Sequence, residues 1–450
     1  MLSFFTSKLK TFRHGIHPGE YKDLTRYKAI QRMPFSDEYL IPLSQHLGAP
    51  SKLLVKPGKK VQRGQIIGEP AGFVSIGQHA PVTGTVKAVE MRNHPSGKMV
   101  ETVIIEKDPF SPQTFYNEHA MEWQSLSPTE LITLIQHGGF VGLGGAAFPT
   151  HVKLSVPEGK KAKFLIVNGV ECEPYLTSDH RVMLEQYEDV FHGIRILNKI
   201  LGSEKFYIGI ENNKDDAIEL LQKVIPADMN GEVVSLQTKY PQGAEKMLIE
   251  AVLKREVPSG KLPIDVEVVV QNIGTIAGIG MMFRFGQPLI ERVVTITGPG
   301  IVNPANLLIP IGTKLIDVLD YCGGIKEDTR QILFGGPMMG APQLHLDVPI
   351  MKGTSGILCL TAAEVGIRQE YPCIRCLRCV DACPVYLNPS RLGALAKSRE
   401  YNGMLDYHIM DCVECGSCSY VCPSNIPLVQ RFRIAKALLR EKQAKQKKAS

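Results

Sequence analysis

The sequence predicts a multidomain α/β protein, and three observations support that prediction. The chain has 450 residues, which is too many for one ordinary hydrophobic core, and 44% of them are hydrophobic. Short apolar runs between glycine and proline turns fill residues 1–115 and 288–362, whereas residues 125–287 alternate helix-like and strand-like segments. Eight of the eleven cysteines lie between residues 373 and 422. We therefore expect two small β modules, an α/β domain and a cysteine-rich domain.

Residues 1–115 are predicted to form a small β-sandwich or barrel, because their apolar runs are of strand length and end at glycine or proline. The segments 56–68 and 79–86 resemble the two halves of a biotinyl or lipoyl module. Residues 72–78, at the hairpin tip between these halves, contain no lysine. We therefore expect this module to be a scaffold rather than a swinging arm.

The α/β domain is expected over residues 125–287 and opens with a helix. Ser127 is the predicted N-cap, Pro128 the first helical residue and Glu130 the partner of a capping box. Strands are predicted at 163–168 and 205–210, and a helix is predicted at 215–224. This alternation is typical of a sheet layered with helices.

Three segments follow the α/β domain. Residues 288–362, with turns at 298–304 and 335–340, fit a small β-grasp-like module. The cysteine-rich domain is expected over 363–430, with a helix from Ser390 to Tyr401, and a basic tail over 431–450. The Met338–Met339 pair is expected to pack rather than to ligate a metal.

The cysteines form two copies of the pattern C-x2-C-x2-C-x3-C-P, which is the spacing of a two-cluster bacterial ferredoxin. In that arrangement the fourth thiolate of each [4Fe–4S] cluster comes from the other copy. We therefore predict one cluster on Cys373, Cys376, Cys379 and Cys422, and a second on Cys412, Cys415, Cys418 and Cys383. Structural zinc is the alternative. A disulfide framework is disfavoured in a long chain without a recognisable secretory signal.

The net charge of +6 is concentrated at the carboxyl terminus, where residues 431–450 contain eight Lys or Arg and one Glu. This tail suits an anionic membrane face or an acidic partner, and a solvated helix is the alternative. Nucleic-acid binding is disfavoured, because Phe432 is the only aromatic residue in the tail. No apolar run approaches the length of a membrane span, so the chain is expected to be cytoplasmic.

A second chemical signal is the loop Gly142–Thr150, which partly matches a dinucleotide-binding fingerprint. That fingerprint must follow a strand, whereas this loop follows a predicted helix, so we reject that interpretation. Its bare backbone N–H groups still suit a phosphate or a flavin, with a purely structural turn as the alternative. Glu171 and Glu173 then lie just past a predicted strand, where they suit a ribose or a nicotinamide amide, or else form a solvated loop.

These residues resemble a known family. The segments 142–153 and 168–175 resemble the NADH-oxidising flavoprotein subunit of respiratory complex I, with its G-x-G-G-A-G-F-P-T loop and N-x-x-E-x-E-P segment. That family also has a β-grasp domain followed by iron–sulfur cysteines. With the segment Phe12–Gly19 and the doubled cysteine motif, residues 10–430 resemble the RnfC/RsxC family, whose members belong to the Rnf/Rsx electron-transport complex. The resemblance implies a Rossmann-like flavin domain and a β-grasp module of the SLBB type.

The resemblance also implies roles for individual residues, and it requires no catalytic acid, base or nucleophile. Segments 240–245 and 271–275 resemble the family's Y-x-x-G-E-E and N-N-x-x-T. The implied FMN residues are Gly142, Gly144, Lys153, Asn168, Glu171, Gly243, Asn272 and Thr275. The implied NADH residues are Phe148, Glu173 and Lys261. Val170 and Ala244 replace two acids of complex I, which predicts an altered flavin potential or weaker nucleotide binding. The other cysteines are expected to be inert buried thiols, namely Cys172, Cys322 and Cys359.

The implied function is that of a peripheral electron-transport subunit on the cytoplasmic face of the bacterial inner membrane. It would exchange electrons among NAD(H), FMN and the two clusters, with ferredoxin and the integral-membrane and iron–sulfur subunits of the translocase as partners. A soluble cobalamin reductase of the propanediol-utilisation type has the same order of domains and is the alternative. A relay scaffold that has lost its flavin is the third hypothesis.

Overall fold

A computed structural model describes residues 9–116, 118–366 and 368–449. The start of the chain, which bears on the prediction of no secretory signal, lies mostly outside these residues. The described residues form two small β modules, an α/β domain and a helical carboxyl-terminal domain, so the predicted fold class is confirmed.

The first β module consists of two antiparallel sheets with strand orders β2-β8-β7-β4 and β3-β5-β6. The strands are β1 Ile30–Arg32, β2 Glu38–Pro42, β3 Lys52–Leu53, β4 Lys60–Val61, β5 Ile66–Glu69, β6 Gln78–His79, β7 Gly84–Asn93 and β8 Met99–Lys107. Tyr39, Ile67 and Val103 are fully buried in the core that these sheets share. Strand β1 pairs with a strand outside these two sheets.

The α/β domain has a four-stranded parallel sheet in the order β11-β10-β9-β12. Its elements are α1 Pro128–His137, α2 Thr150–Leu154, β9 Phe164–Asn168, α3 Ser178–Glu185, α4 Tyr187–Leu201, β10 Lys205–Glu211, α5 Asp215–Val224, β11 Gly231–Leu236, α6 Glu245–Leu253, β12 Val268–Asn272 and α7 Ile273–Phe285. The predicted capping box at Ser127 and Glu130 is present.

Both faces of this sheet are buried. Leu165 and Val167 of β9 pack into one hydrophobic core with α4 and α7, whereas Ile166 packs into a second core with α6. Alternate residues of a strand point to opposite faces of the sheet. The sequence of a strand with helices on both sides is therefore a continuous apolar run. The chain leaves β9 towards β10 and β11 and later crosses to β12, which places a topological switch point between β9 and β12.

The second β module is a six-stranded mixed sheet in the order β1-β14-β13-β17-β15-β16. Its own elements are β13 Glu291–Thr297, β14 Ala305–Pro310, α8 Leu315–Tyr321, β15 Thr329–Phe334, β16 Ala341–Pro342 and β17 Gly356–Thr361. Strand β1 from the amino-terminal part adds to its edge in parallel with β14. The sequence did not predict that a strand from the amino-terminal part would join the sheet of the second β module.

The carboxyl-terminal domain is helical, with α9 Arg378–Asp381, α10 Pro389–Lys397, α11 Ser417–Tyr420 and α12 Leu428–Ala449. The helix predicted at 390–401 is α10, which begins after the N-cap Asn388 and ends four residues earlier than expected. Leu392, Met404 and Phe432 form the centre of the domain's core. The basic tail continues α12. No helix among the described residues has both the length and the apolar character needed to cross a membrane.

Candidate flavin and iron–sulfur sites

A large open cleft, about 1920 Å³, lies where the two β modules, the α/β domain and the helical domain meet. The glycine loop after α1 forms one wall, and the carboxyl ends of β9 and β12 form the floor. Residues that line the cleft include Gly144, Gly145, Asn168, Val170, Glu173, Asp179, Gly243, Asn272, Gly336, Thr354, Val413 and Cys415. The cleft is therefore at the switch point of the parallel sheet, where α/β domains bind their ligands.

Two asparagines mark the floor of the cleft. Asn168 and Asn272 are register partners at the last positions of β9 and β12. The amide of Asn168 donates to the carbonyl of Gly243 at 2.9 Å and accepts from the N–H of Val170 at 3.0 Å. Asn272 is the N-cap of α7 and donates to Asp179 at 2.7 Å. The end of a buried strand thus orients each of these predicted residues.

The glycine loop is held by backbone contacts behind the cleft. Leu143 donates its N–H to the hydroxyl of Thr275 at 2.9 Å, and that hydroxyl donates to the carbonyl of Val141. Gly144 and Gly145 are exposed on the cleft side. A Cβ at Gly144 would have its nearest neighbour, the amide nitrogen of Asn272, at 3.5 Å, and a Cβ at Gly145 would have none within 4 Å. The loop therefore presents bare backbone to open space, which suits close approach of a flat or anionic group.

Five predicted residues do not line the cleft. Thr275 and Gly142 support the loop, since Gly142 donates its N–H to the carbonyl of Phe148 at 2.8 Å. Phe148 is half-buried and accepts that bond through its backbone carbonyl. Lys153 is held by Glu245 at 2.6 Å and points its charge towards that carboxylate rather than into the cleft. Lys261 lies on an exposed turn, away from the lining.

The predicted glutamates have different surroundings. Glu171 is buried, and its carboxylate accepts hydrogen bonds from the Ser178 hydroxyl at 3.1 Å and the Asp179 N–H at 2.9 Å, which caps α3. Glu173 accepts from the backbone N–H groups of Met338 and Met339 at 3.1 and 2.9 Å. Burial raises the pKa of Glu173 to about 7. Glu173 therefore ties the α/β domain to the loop 335–340 at the rim of the cleft.

Asp179 is a cleft residue that sequence reasoning missed. Burial raises its pKa to about 7, and the neighbouring Glu171 adds to that increase. The buried guanidinium of Arg292 is nearby, and burial lowers its pKa to about 10. The sequence feature that could have indicated Asp179 is its position in the first turn of the helix that follows the acidic segment 171–173.

The thiols of the carboxyl-terminal domain lie in two groups, and their assignment as ligands of two clusters stays a prediction. Cys373, Cys376, Cys379 and Cys422 line one void between α9, α10 and the turn after α11. Cys383, Cys412, Cys415 and Cys418 lie close enough to influence one another's charge, and burial raises the pKa of each thiol. Among the described residues, no group of three or more His, Cys, Asp or Glu is spaced for a single metal ion. Buried thiolates need positive charge nearby, which cluster iron supplies.

The second set of thiols adjoins the cleft. Val413 and Cys415 form part of its wall, and Cys415 packs with Ile16, Tyr240 and Ala382. The segment 12–16 thereby joins the α/β domain to the helical domain. In contrast, Cys373 and Cys376 of the first set are exposed on the surface.

The three remaining cysteines were predicted to be inert buried thiols. Cys322 and Cys359 are buried in the core of the second β module, and burial raises the pKa of both. Cys172 is half-buried and lines the cleft, where it accepts from the Gly243 N–H at 3.4 Å. Its pKa is also raised by burial, as expected of an inert thiol.

Comparison with protein-family models agrees with this division into sites. Residues 10–109 match the RnfC barrel sandwich hybrid domain and residues 135–281 the Nuo51 FMN-binding domain. Residues 293–342 match the SLBB domain, and residues 372–426 match a 4Fe-4S dicluster domain. The C-subunit of the proton-translocating ferredoxin:NAD(+) oxidoreductase complex of Clostridium ljungdahlii is 46% identical over 90% of this chain and 88% of its own length. The chain belongs to the RnfC family.

Other members are similar over almost the whole RnfC chain. The C-subunit of the Na(+)-translocating ferredoxin:NAD(+) oxidoreductase complex of Acetobacterium woodii is 45% identical, over 95% of this chain and 96% of its own length. The C-subunit of the ion-translocating oxidoreductase complex of Rhodobacter capsulatus is 40% identical, over 97% and 84%. A NAD+-reducing [NiFe]-hydrogenase structure has a TM-score of 0.48 at 16% identity over 71% of this chain and 66% of its own, which is too distant to bear on function.

The prediction of FMN and two [4Fe–4S] clusters is confirmed by these matches, and the described residues fit both groups. The cleft has an open glycine wall and amide side chains on its floor. The thiol sets contain four cysteines each. The family assignment also favours the first of the three predicted functions over the cobalamin reductase and the flavin-free scaffold.

Proposed function

We propose that this RnfC protein exchanges electrons between NAD(H), FMN and two [4Fe–4S] clusters as the peripheral subunit of an ion-translocating complex. The observation that carries the proposal is the shared wall between the cleft and a cysteine loop, formed by Val413 and Cys415. Bound FMN supplies the conversion between a two-electron hydride and single electrons. The chain's own contribution is to orient the groups and to hold the thiolate ligands next to the cleft.

The residues that would hold FMN are those on the floor and the glycine wall. Gly144 gives close backbone approach, and Asn168, Gly243 and Asn272 present amide and peptide groups. Thr275 acts from behind by fixing the loop through Leu143. Glu171 acts in the same manner, because its carboxylate caps α3. The remaining length of the cleft, up to Glu173, would receive the dinucleotide.

The two thiol sets would act in a fixed order. The set around Cys415 adjoins the cleft, so it would exchange electrons with the flavin site. The set around Cys373 is exposed, so it would exchange electrons with a partner. The basic helix α12 would favour the anionic face of the inner membrane on its cytoplasmic side, with integral-membrane subunits as partners.

Anaerobic cofactor analysis followed by NADH titration tests the proposal. We expect one FMN and about eight irons per chain, as two [4Fe–4S] clusters require, and bleaching of the flavin absorbance by NADH. A protein with its flavin and clusters in place that NADH does not reduce would contradict the proposed function. Co-purification with integral-membrane subunits, and its loss when the basic end of the chain, residues 441–450, is removed and the core-packed part of α12 is kept, tests the membrane location.

A further inference from the structure

The two cysteine loops repeat one backbone conformation 39 positions apart. Arg375 and Glu414 occupy equivalent positions with φ of 57° and 56°. Leu377 and Gly416 are the next equivalent pair, with φ of 63° and 82°. Since the loops match residue by residue, the surroundings of one loop indicate what the equivalent positions of the other are suited to contact.

The loop 412–418 packs against the rest of the molecule. Val413 forms part of the cleft wall. Gly416 lies against the loop 335–340, so closely that a Cβ would be 3.0 Å from the carbonyl oxygen of Met338. Glu414 forms an ion pair with Lys436 at 2.7 Å. At this loop, Val413 and Gly416 therefore pack against the cleft and its rim within the same chain, whereas Glu414 pairs inside the helical domain.

The equivalent positions of the loop 373–379 are exposed rather than packed against another module. Ile374 is 68% exposed and Leu377 is 54% exposed. Leu377 also has a left-handed φ, which costs energy for a branched residue and which its equivalent Gly416 adopts freely. Arg375 and Arg378 form no ion pair with the residues that the structure describes. An apolar residue kept in a strained and exposed position indicates a contact made with another molecule.

The charge of this surface specifies the partner. All residues from 368 to 378 that surround the thiols are exposed, and they include three arginines and one glutamate. That glutamate, Glu370, is paired with Arg431 at 2.7 Å, so its charge is already balanced. Tyr371, 52% exposed, borders the same surface. Arginine around an apolar and aromatic centre is typical of a protein interface, and positive charge selects a negative partner.

We propose that Ile374, Arg375, Leu377 and Arg378 form the docking surface for an acidic iron–sulfur protein or domain, which exchanges single electrons with the cluster on Cys373, Cys376, Cys379 and Cys422. This inference rests on the proposed function and names the partner of its exposed cluster. Each encounter oxidises one cluster and reduces the other by one electron. Two encounters therefore match one two-electron flavin reduction. A small, transient interface is usual for redox partners.

The test uses the full-length chain, loaded with flavin and clusters, and a reduced acidic two-cluster bacterial ferredoxin as the probe. The measurement is the second-order rate constant of flavin bleaching in stopped flow at low salt. The variant Arg375→Glu/Arg378→Glu should lower this rate constant about tenfold and weaken its salt dependence. Lys56→Glu/Lys59→Glu makes the same charge change on an exposed turn of the first β module and serves as the matched control.

A second variant separates docking from folding. Leu377→Gly relieves the left-handed backbone and copies Gly416, so it should keep iron and flavin content while lowering the ferredoxin rate about threefold. Bleaching of the flavin by NADH should be equal in the parent protein and all variants. If NADH did not bleach the flavin of the parent protein, the proposed function would be wrong, whatever the ferredoxin rates. Ferredoxin rates equal to those of the parent or the control would overturn the docking proposal. So would unchanged ferredoxin rates with lost binding to anionic phosphatidylserine vesicles, which would assign the surface to lipid.

Discussion

The hydroxyl group of Tyr240 donates a hydrogen bond of 2.7 Å to the backbone carbonyl of Cys415. Tyr240 is 1% exposed and follows the carboxyl edge of the parallel sheet, whereas Cys415 belongs to the thiol set next to the cleft. This contact joins the proposed flavin site to a proposed cluster ligand. It also satisfies a carbonyl that would otherwise be buried without a donor.

Tyr240→Phe should therefore destabilise the junction between the α/β domain and the helical domain. Loss of the donor leaves a buried carbonyl unsatisfied, which costs about 1–3 kcal/mol. We expect a lower Tm and faster loss of one cluster, which is measured by the decrease of its absorbance. That cluster is the one on Cys412, Cys415, Cys418 and Cys383. Tyr420→Phe changes an exposed phenol of the helical domain, which holds this cluster, and should have no effect. Equal behaviour of the two variants would show that the contact is unimportant.

The sequence was informative where local chemistry determines structure. The capping box at Ser127, the eight cysteines and the strand that ends at Asn168 depend on residue spacing and apolar pattern. The pairing of β1 with β14 and the contact between Glu173 and the loop 335–340 depend on tertiary packing of segments far apart in the chain. Lys261 lies in none of the segments that carry the family resemblance, and it stands on an exposed turn outside the lining of the cleft.

The crossed ligand sets predict separate losses of the two clusters. Cys383→Ser should remove the cluster that it shares with Cys412, Cys415 and Cys418, and leave the surface cluster intact. Cys422→Ser should do the opposite. Each variant should retain about four irons, one [4Fe–4S] cluster, with different electron paramagnetic resonance signals after reduction. Cys322→Ser, in the core of the second β module, is the control and should retain both clusters. If Cys383→Ser and Cys422→Ser lost the same signal, the crossed assignment would be wrong.

Gly144 and Gly142 provide a test of which glycine meets the flavin. Gly144 faces open cleft and has room for a methyl group at 3.5 Å or more from its neighbours, so Gly144→Ala should fold normally. Its new methyl group would occupy space proposed for FMN and should weaken flavin binding about tenfold, or about 1.4 kcal/mol. Gly142→Ala, behind the loop, should retain flavin. Titration of the two flavin-free variants with FMN measures their affinities. Equal affinities would contradict the placement of FMN against Gly144.

Val170 offers a direct test of how charge tunes the flavin. It lines the cleft and is 6% exposed, so a carboxylate there would be poorly solvated. A negative charge close to the ring opposes electron gain. At a pH high enough to ionise this buried carboxyl, Val170→Asp should therefore lower the flavin midpoint potential by about 30 mV or more, a tenfold change in a two-electron equilibrium. Val170→Asn has a similar shape without the charge. A potential that is unchanged in Val170→Asp, or lowered equally in both variants, would refute the electrostatic explanation.

Glu173 should make stability depend on pH. Burial raises its pKa from 4.5 to about 7, so the folded protein keeps a proton that the unfolded chain has released over this range. The stabilisation is fully present below pH 4.5 and is lost as the pH rises through 7, by about 3 kcal/mol in total. Glu173→Gln imitates the protonated form at every pH. Its Tm relative to the parent protein should therefore increase between pH 5 and pH 8, whereas Glu158→Gln, on an exposed loop, should follow the parent. A Tm difference between Glu173→Gln and the parent that stays constant over this range would show that Glu173 is already ionised when folded.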